Sequence, residues 1–127
     1  MSFLGIDIGS SQVKATVFSA KGECLAAAYR KYAYQIPEAN AMELDSDEVC
    51  EKAFECIAEC AEAVRKISPV QAIACSSQGE AFACIDKDGK ALCNAMISGD
   101  SRAVRCMENF SASFGVENLY KITIFLT

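Results

Sequence analysis

Leu4-Gly5-Ile6-Asp7-Ile8-Gly9-Ser10-Ser11-Gln12-Val13-Lys14-Ala15-Thr16-Val17-Phe18 reads as a buried strand, a tight turn and a second strand. A carboxylate ends the first apolar run, and a glycine and two hydroxyls follow it. That order sets a ligand for a hydrated metal beside backbone N–H groups and side-chain donors able to face phosphate oxygens. Gly9 lets the backbone come close. The competing reading is a plain hairpin, in which Asp7 and Ser10 only satisfy the turn's own backbone.

Working outward, Lys21-Gly22 turns the chain into a third strand expected from Glu23 to about Tyr34. Pro37 to Ala41 breaks the pattern. Asp45-Ser46-Asp47-Glu48 then forms a helix start, with Asp45 as cap and acids in the first turn. The helix is expected to run to about Lys66, with Val49, Ala53, Phe54, Ile57, Cys60, Ala61 and Val64 on one apolar face. Pro69 prevents continuation. Gln71 to Cys75 follows as a strand parallel to the first, because a helix crosses between them. Ala81 to Ile85 and Ala91 to Ile97 flank the turn Asp86-Lys87-Asp88-Gly89 as a hairpin. A second helix is expected from near Asp100, with Ala103, Met107, Phe110 and Phe114 as its buried stripe and Gly115 as its end.

Two further segments carry chemistry: Ser76-Ser77-Gln78-Gly79-Glu80, at the end of the parallel strand, and Ser98-Gly99-Asp100-Ser101-Arg102. With the first turn they resemble, in order and spacing, the FGGY carbohydrate kinases of the actin and sugar kinase superfamily, in particular xylulose and glycerol kinases. The resemblance covers nearly the whole chain and implies an α/β, ribonuclease H-like (actin-like ATPase) domain. It further implies ATP-dependent phosphoryl transfer to a hydroxyl of a sugar or polyol, chemistry that rests mostly on positioning and charge stabilisation.

On that resemblance, Asp7, Gly9, Ser10, Ser11, Gln12 and Lys14 are the expected nucleotide-phosphate residues, with Asp7 holding Mg2+ through water. Gln78, Gly79, Glu80, Asp100 and Arg102 are the expected sugar residues. A carboxylate such as Glu80 can accept two hydrogen bonds from neighbouring hydroxyls and so select a polyol by geometry. Some relatives carry arginine or methionine at the position of Gly79, xylulose kinases carry histidine at that of Glu80, and tryptophan is usual at that of Ser98. The simpler alternatives are a solvated Lys14, Glu80 as an ordinary loop acid and Asp100 as a helix cap.

The 127 residues suffice for one domain and a modest core. Members of the family it resembles are several times longer, so on that resemblance the chain is expected to be the N-terminal, incomplete part of a longer kinase. On the resemblance, the catalytic base and the adenosine pocket belong to a second domain, so no catalytic residue is expected in this chain. The apolar ending Ile124-Phe125-Leu126-Thr127 agrees with a cut.

A net charge of −5 without a basic patch gives no electrostatic footprint for nucleic acid. No signal peptide or membrane-length apolar run is apparent, so a cytoplasmic protein is expected, with a homodimer open to the full-length form. Eight cysteines without a C-x-x-C, in a chain with no histidine, make zinc a poor fit. Reduced core thiols are the expected state. Two other classes stay open: a non-catalytic phosphate- or sugar-binding module, and an activator ATPase of a radical dehydratase, which shares Gly-Ile-Asp-Ile-Gly-Ser but holds an iron–sulfur cluster.

Overall fold

The computed structural model describes residues 1–123. The apolar ending 124–127 lies outside the described residues. Strands β1 (Ser2–Ile8), β2 (Gln12–Ser19) and β3 (Cys24–Lys31) form the expected antiparallel meander. Helix α1 (Ser46–Val64) then crosses to β5 (Val70–Ser77), which pairs parallel with β1, giving the order β3-β2-β1-β5. Two-residue strands β4 (Glu43–Leu44) and β6 (Ala95–Met96) pair in a second small sheet, and helices α2 (Val104–Phe114) and α3 (Val116–Thr123) follow.

Alternation along the meander sets its two faces. Leu4 and Ile6 on β1, Val13, Ala15 and Val17 on β2, and Ala28 on β3 point to one side, where Ala53, Cys56, Cys60 and Val64 of α1 cover them. Asp45 caps α1, its Oδ1 accepting from the amides of Asp47 and Glu48. Each such cap contributes roughly 1 kcal/mol.

Several expectations are corrected. β3 stops at Lys31 rather than near Tyr34, because β2 begins at Gln12 and offers no partner strand beyond it. Phe54 is 70 % exposed, and Cys56 takes its place in the buried row. α1 lies over β1, β2 and β3, so its flank towards β5 stays open. The hairpin around Asp86–Gly89 closes as expected, with Gly89 at φ 82°, but it carries isolated bridges at Ile85–Ala91 and Phe82–Met96. The second arm spends two more residues between those bridges than the first, which breaks the ladder. α2 begins at Val104, not near Asp100, and Met107, Phe110 and Phe114 are partly exposed rather than buried, although Gly115 at φ 90° does end the helix. α3 has no counterpart among the expected elements. Of the eight free cysteines only Cys56 and Cys60 are core thiols as expected; the other six are exposed.

Candidate functional site

Parallel pairing of β1 with β5 sets Asp7 beside Ser76 and Ile8 beside Ser77, and the Gln78 amide donates to the Ile8 carbonyl at 3.0 Å. The first turn and the Gln78–Glu80 loop, distant in sequence, thus leave the same end of the sheet side by side. Antiparallel pairing sets Lys14 directly opposite Asp7, so carboxylate and ammonium share the open face of the meander.

Within the turn, the Gly9 amide donates to the Gln12 carbonyl at 3.0 Å. A Cβ on Gly9 would meet that same oxygen at 3.3 Å, so a side chain there would push the turn open. Asp7, Ser10, Ser11 and Lys14 are exposed, and Gly9 and Gln12 are half-buried. Sequence reasoning missed Tyr32. Its ring is buried, its hydroxyl donates to the Gly9 carbonyl and its amide donates to the Ser11 carbonyl at 3.1 Å. Burial, and then the charge of Asp7, push the Tyr32 phenol above its ordinary pKa.

Gly79 and Glu80 are exposed and Gln78 is half-buried. A Cβ on Gly79 would meet nothing within 4 Å, so the backbone does not demand glycine there. Behind Gln78 lies a cavity of about 190 Å3 whose wall includes Ile8, Leu44, Ser46, Ser77 and Phe82. The Ser46 hydroxyl is buried at this wall without a protein partner among the described residues, and helix-start arithmetic gave no reason to single it out.

Asp100 and Arg102 do not bond to Gln78, Gly79 or Glu80 among the described residues; they fasten the 94–102 segment to the 35–43 segment. Asp100 Oδ2 accepts from the Met42 amide at 3.0 Å, and Oδ1 accepts from the Arg102 amide at 3.1 Å. The guanidinium donates to Asp100 and, at 2.6 Å, to Glu43, with Glu38 at the rim. Glu43 also accepts from Asn94. Asp100 does not cap α2, whose flanking residue is Ala103; its oxygens accept from Met42 and Arg102 instead. A Cβ on Gly99 would meet the Sδ and Cε of Met42, so a larger residue beside Ser98 would have to displace the end of that flexible side chain.

Arg102, then the Met42 amide, hold the Asp100 carboxyl down to about 2 against an ordinary 3.8, and Asp100 and Glu43 keep Arg102 protonated. A carboxyl depressed on folding stabilises the fold above its unfolded pKa and loses that contribution as pH falls through the folded value. The stabilisation from Asp100 is therefore complete above about pH 4 and fades towards pH 2. Asp100→Asn in the full-length protein is expected to lower the urea midpoint at pH 6, with the gap to wild type closing by pH 2; a gap independent of pH would contradict the ion-pair account.

Among the described residues, no three His, Cys, Asp or Glu side chains lie together as a metal-holding group, and no helix is long and apolar enough to cross a membrane. A profile described as "FGGY family of carbohydrate kinases, N-terminal domain" matches residues 2–127. The "Probable L-xylulose kinase" of Haemophilus influenzae is 29% identical over 130 residues, covering 96% of this chain and 25% of the relative. The chain thus spans about a quarter of the length of that curated relative. Among solved structures, the xylulose kinase of Rhodospirillum rubrum superposes with a TM-score of 0.88 at 19% identity, over 94% of this chain and 25% of the other. Plasmodium falciparum glycerol kinase with ADP gives 0.88 at 19% identity, over 94% and 24%. At those identities the likeness concerns the fold, and that fold is the ribonuclease H-like, actin-like ATPase α/β architecture expected from the sequence. The profile spans the Asp7 turn, the Gln78 loop and the Asp100–Arg102 corner together, and the chain belongs to the FGGY family of carbohydrate kinases, over that family's N-terminal domain.

Proposed function

We propose that these residues are the N-terminal part of an ATP-dependent kinase that transfers the γ-phosphoryl group to a hydroxyl of a sugar or polyol. The observation that supports this reading is the register of β1 against β5, which brings the Asp7–Lys14 turn and the Gln78–Glu80 loop to one end of one sheet. Mg·ATP supplies the phosphoryl group. The exposed Asp7 carboxylate suits a hydrated Mg2+, and Ser10, Ser11, Gln12 and Lys14 suit phosphate oxygens around the close backbone approach at Gly9. Gln78, Gly79 and Glu80 meet the sugar. Asp100 and Arg102 act on it through the segment they brace, since the Asp100 oxygens are committed to internal donors.

In this reading the catalytic base and the adenosine pocket lie in a further domain of the full-length protein, and the isolated 127 residues turn over nothing. The setting is cytoplasmic carbohydrate metabolism. The full-length protein is expected to phosphorylate at least one member of a panel of pentuloses, aldonates and polyols with Mg·ATP. Glu80→Ala is expected to raise KM for that acceptor by about tenfold or more while KM for ATP stays within about twofold, because only one ligand loses hydrogen bonds. Equal losses in both would assign Glu80 to folding, and a panel with no acceptor would remove the kinase reading.

A further inference from the structure

We propose that Tyr32 is a positioning residue for the phosphate turn, acting through its hydroxyl on the Gly9 carbonyl and its amide on the Ser11 carbonyl. The inference rests on the reading of that turn as the nucleotide-phosphate site.

Two bonds from one residue hold two of the turn's peptide planes. A trans peptide is planar, with its C=O and N–H pointing in opposite directions, and no peptide in the described chain is cis. Fixing the Gly9 carbonyl on Tyr32 therefore aims the Ser10 N–H away from Tyr32, and fixing the Ser11 carbonyl does the same for the Gln12 N–H. Together they set the directions of two backbone donors of the turn that reads as the phosphate site. Backbone donors set before the ligand arrives cost no reorganisation when charge must be bound.

The anchor is itself rigid. Tyr32 is 7 % exposed and belongs to the same core as Val13, Ala15 and Ala28, so its ring cannot swing without unpacking the meander. Burial and the nearby Asp7 charge keep its phenol protonated, and hence a donor, beyond the ordinary tyrosine range. A tyrosine whose only duty was to fill the core would be matched by phenylalanine, which keeps the ring and lacks the hydroxyl.

Tyr32→Phe in the full-length protein isolates the hydroxyl. Hydrogen exchange of the hydrogen-bonded Gly9 and Tyr32 amides without ligand is expected to accelerate by about tenfold or more, with the rest of β1 and β2 unchanged. KM for ATP is expected to rise about tenfold while the acceptor KM stays within about twofold. Unchanged exchange, or faster exchange with an unaltered KM for ATP, would overturn the proposal, and equal rises in both KM values would reduce Tyr32 to a packing residue. A wild-type protein that transfers no phosphoryl group would sink the functional reading and the assignment to that reaction. The exchange rates would still show separately whether the hydroxyl orders the turn.

Discussion

Asp7→Ala in the full-length protein is expected to lower kcat with Mg·ATP by at least about 100-fold, the scale seen when one preorganised electrostatic group is removed from a transition state. Asp7 lies at the end of β1, close to the glycine that brings the backbone near and opposite Lys14. Its carboxylate is exposed and, among the described residues, makes no hydrogen bond that shapes the turn, whose closure comes from the Gly9 amide and from Tyr32. Removing the side chain should therefore leave the fold intact while removing the negative charge proposed to hold hydrated Mg2+. Asp7→Asn keeps the size and loses the charge, so it should fall nearly as far. Both variants should need more Mg2+ for half-maximal rate. Unchanged turnover in Asp7→Ala would take Asp7 out of the mechanism; an equal loss accompanied by a changed circular dichroism spectrum would make it a folding residue.

Leu4→Ala is expected to destabilise the domain by about 3 kcal/mol, within the usual range for a buried leucine. Leu4 is 1 % exposed, lies on β1 between Val17 of β2 and Ile73 of β5, and faces α1. It is held on both sides by hydrogen-bonded strands, so the surroundings cannot collapse into the space left behind, and the cavity cost adds to the lost transfer energy. Leu4→Val should cost roughly a third as much. Urea midpoints of the full-length protein and its two variants measure this ordering. A Leu4→Ala midpoint within the range of a surface substitution would mean that the meander does not carry the stability of this domain.

Much of this molecule was legible in its residues. The β1–β2 turn is local: an alternating apolar run, Asp7-x-Gly9, and another alternating run leave few other ways to bury Leu4, Ile6, Val13, Ala15 and Val17 on one face. The start of α1 was equally local, since Asp45 and the amides it caps are neighbours. The apolar stripe on α2 is a real stripe, but amphipathicity specifies a face without specifying a cover, and α2 contacts chiefly α3. Phe54 and Phe110 remain exposed for the same reason.

The sugar-side residues show the same division. Gln78–Glu80 could be placed at the end of a strand from the apolar run that precedes it. The duty of Asp100 could not, because its donors are Arg102 and the amide of Met42, a residue distant in sequence. Glu43 carried no motif, and Ser46 only its place in a helix start; Glu43 becomes meaningful only when Arg102 arrives opposite it.

By itself, then, the sequence determined the meander, the phosphate-type turn, the crossover helix and the family, because each depends on contacts between near neighbours or on a short motif. The tertiary structure alone decided what lies beside that turn. The β2–β3 pairing slips by one residue at Val17/Phe18, so that Gln12 meets Lys31 and the Tyr32 amide reaches Ser11. Counting back from the Lys21-Gly22 turn without that bulge would put Tyr32 opposite Ser10 and on the wrong face, because one step of register reverses every side chain of a strand. The parallel direction of β5 was legible from the crossover helix, but the register that sets Asp7 beside Ser76 and Ile8 beside Ser77 joins segments far apart in sequence and is contained in no short stretch of residues.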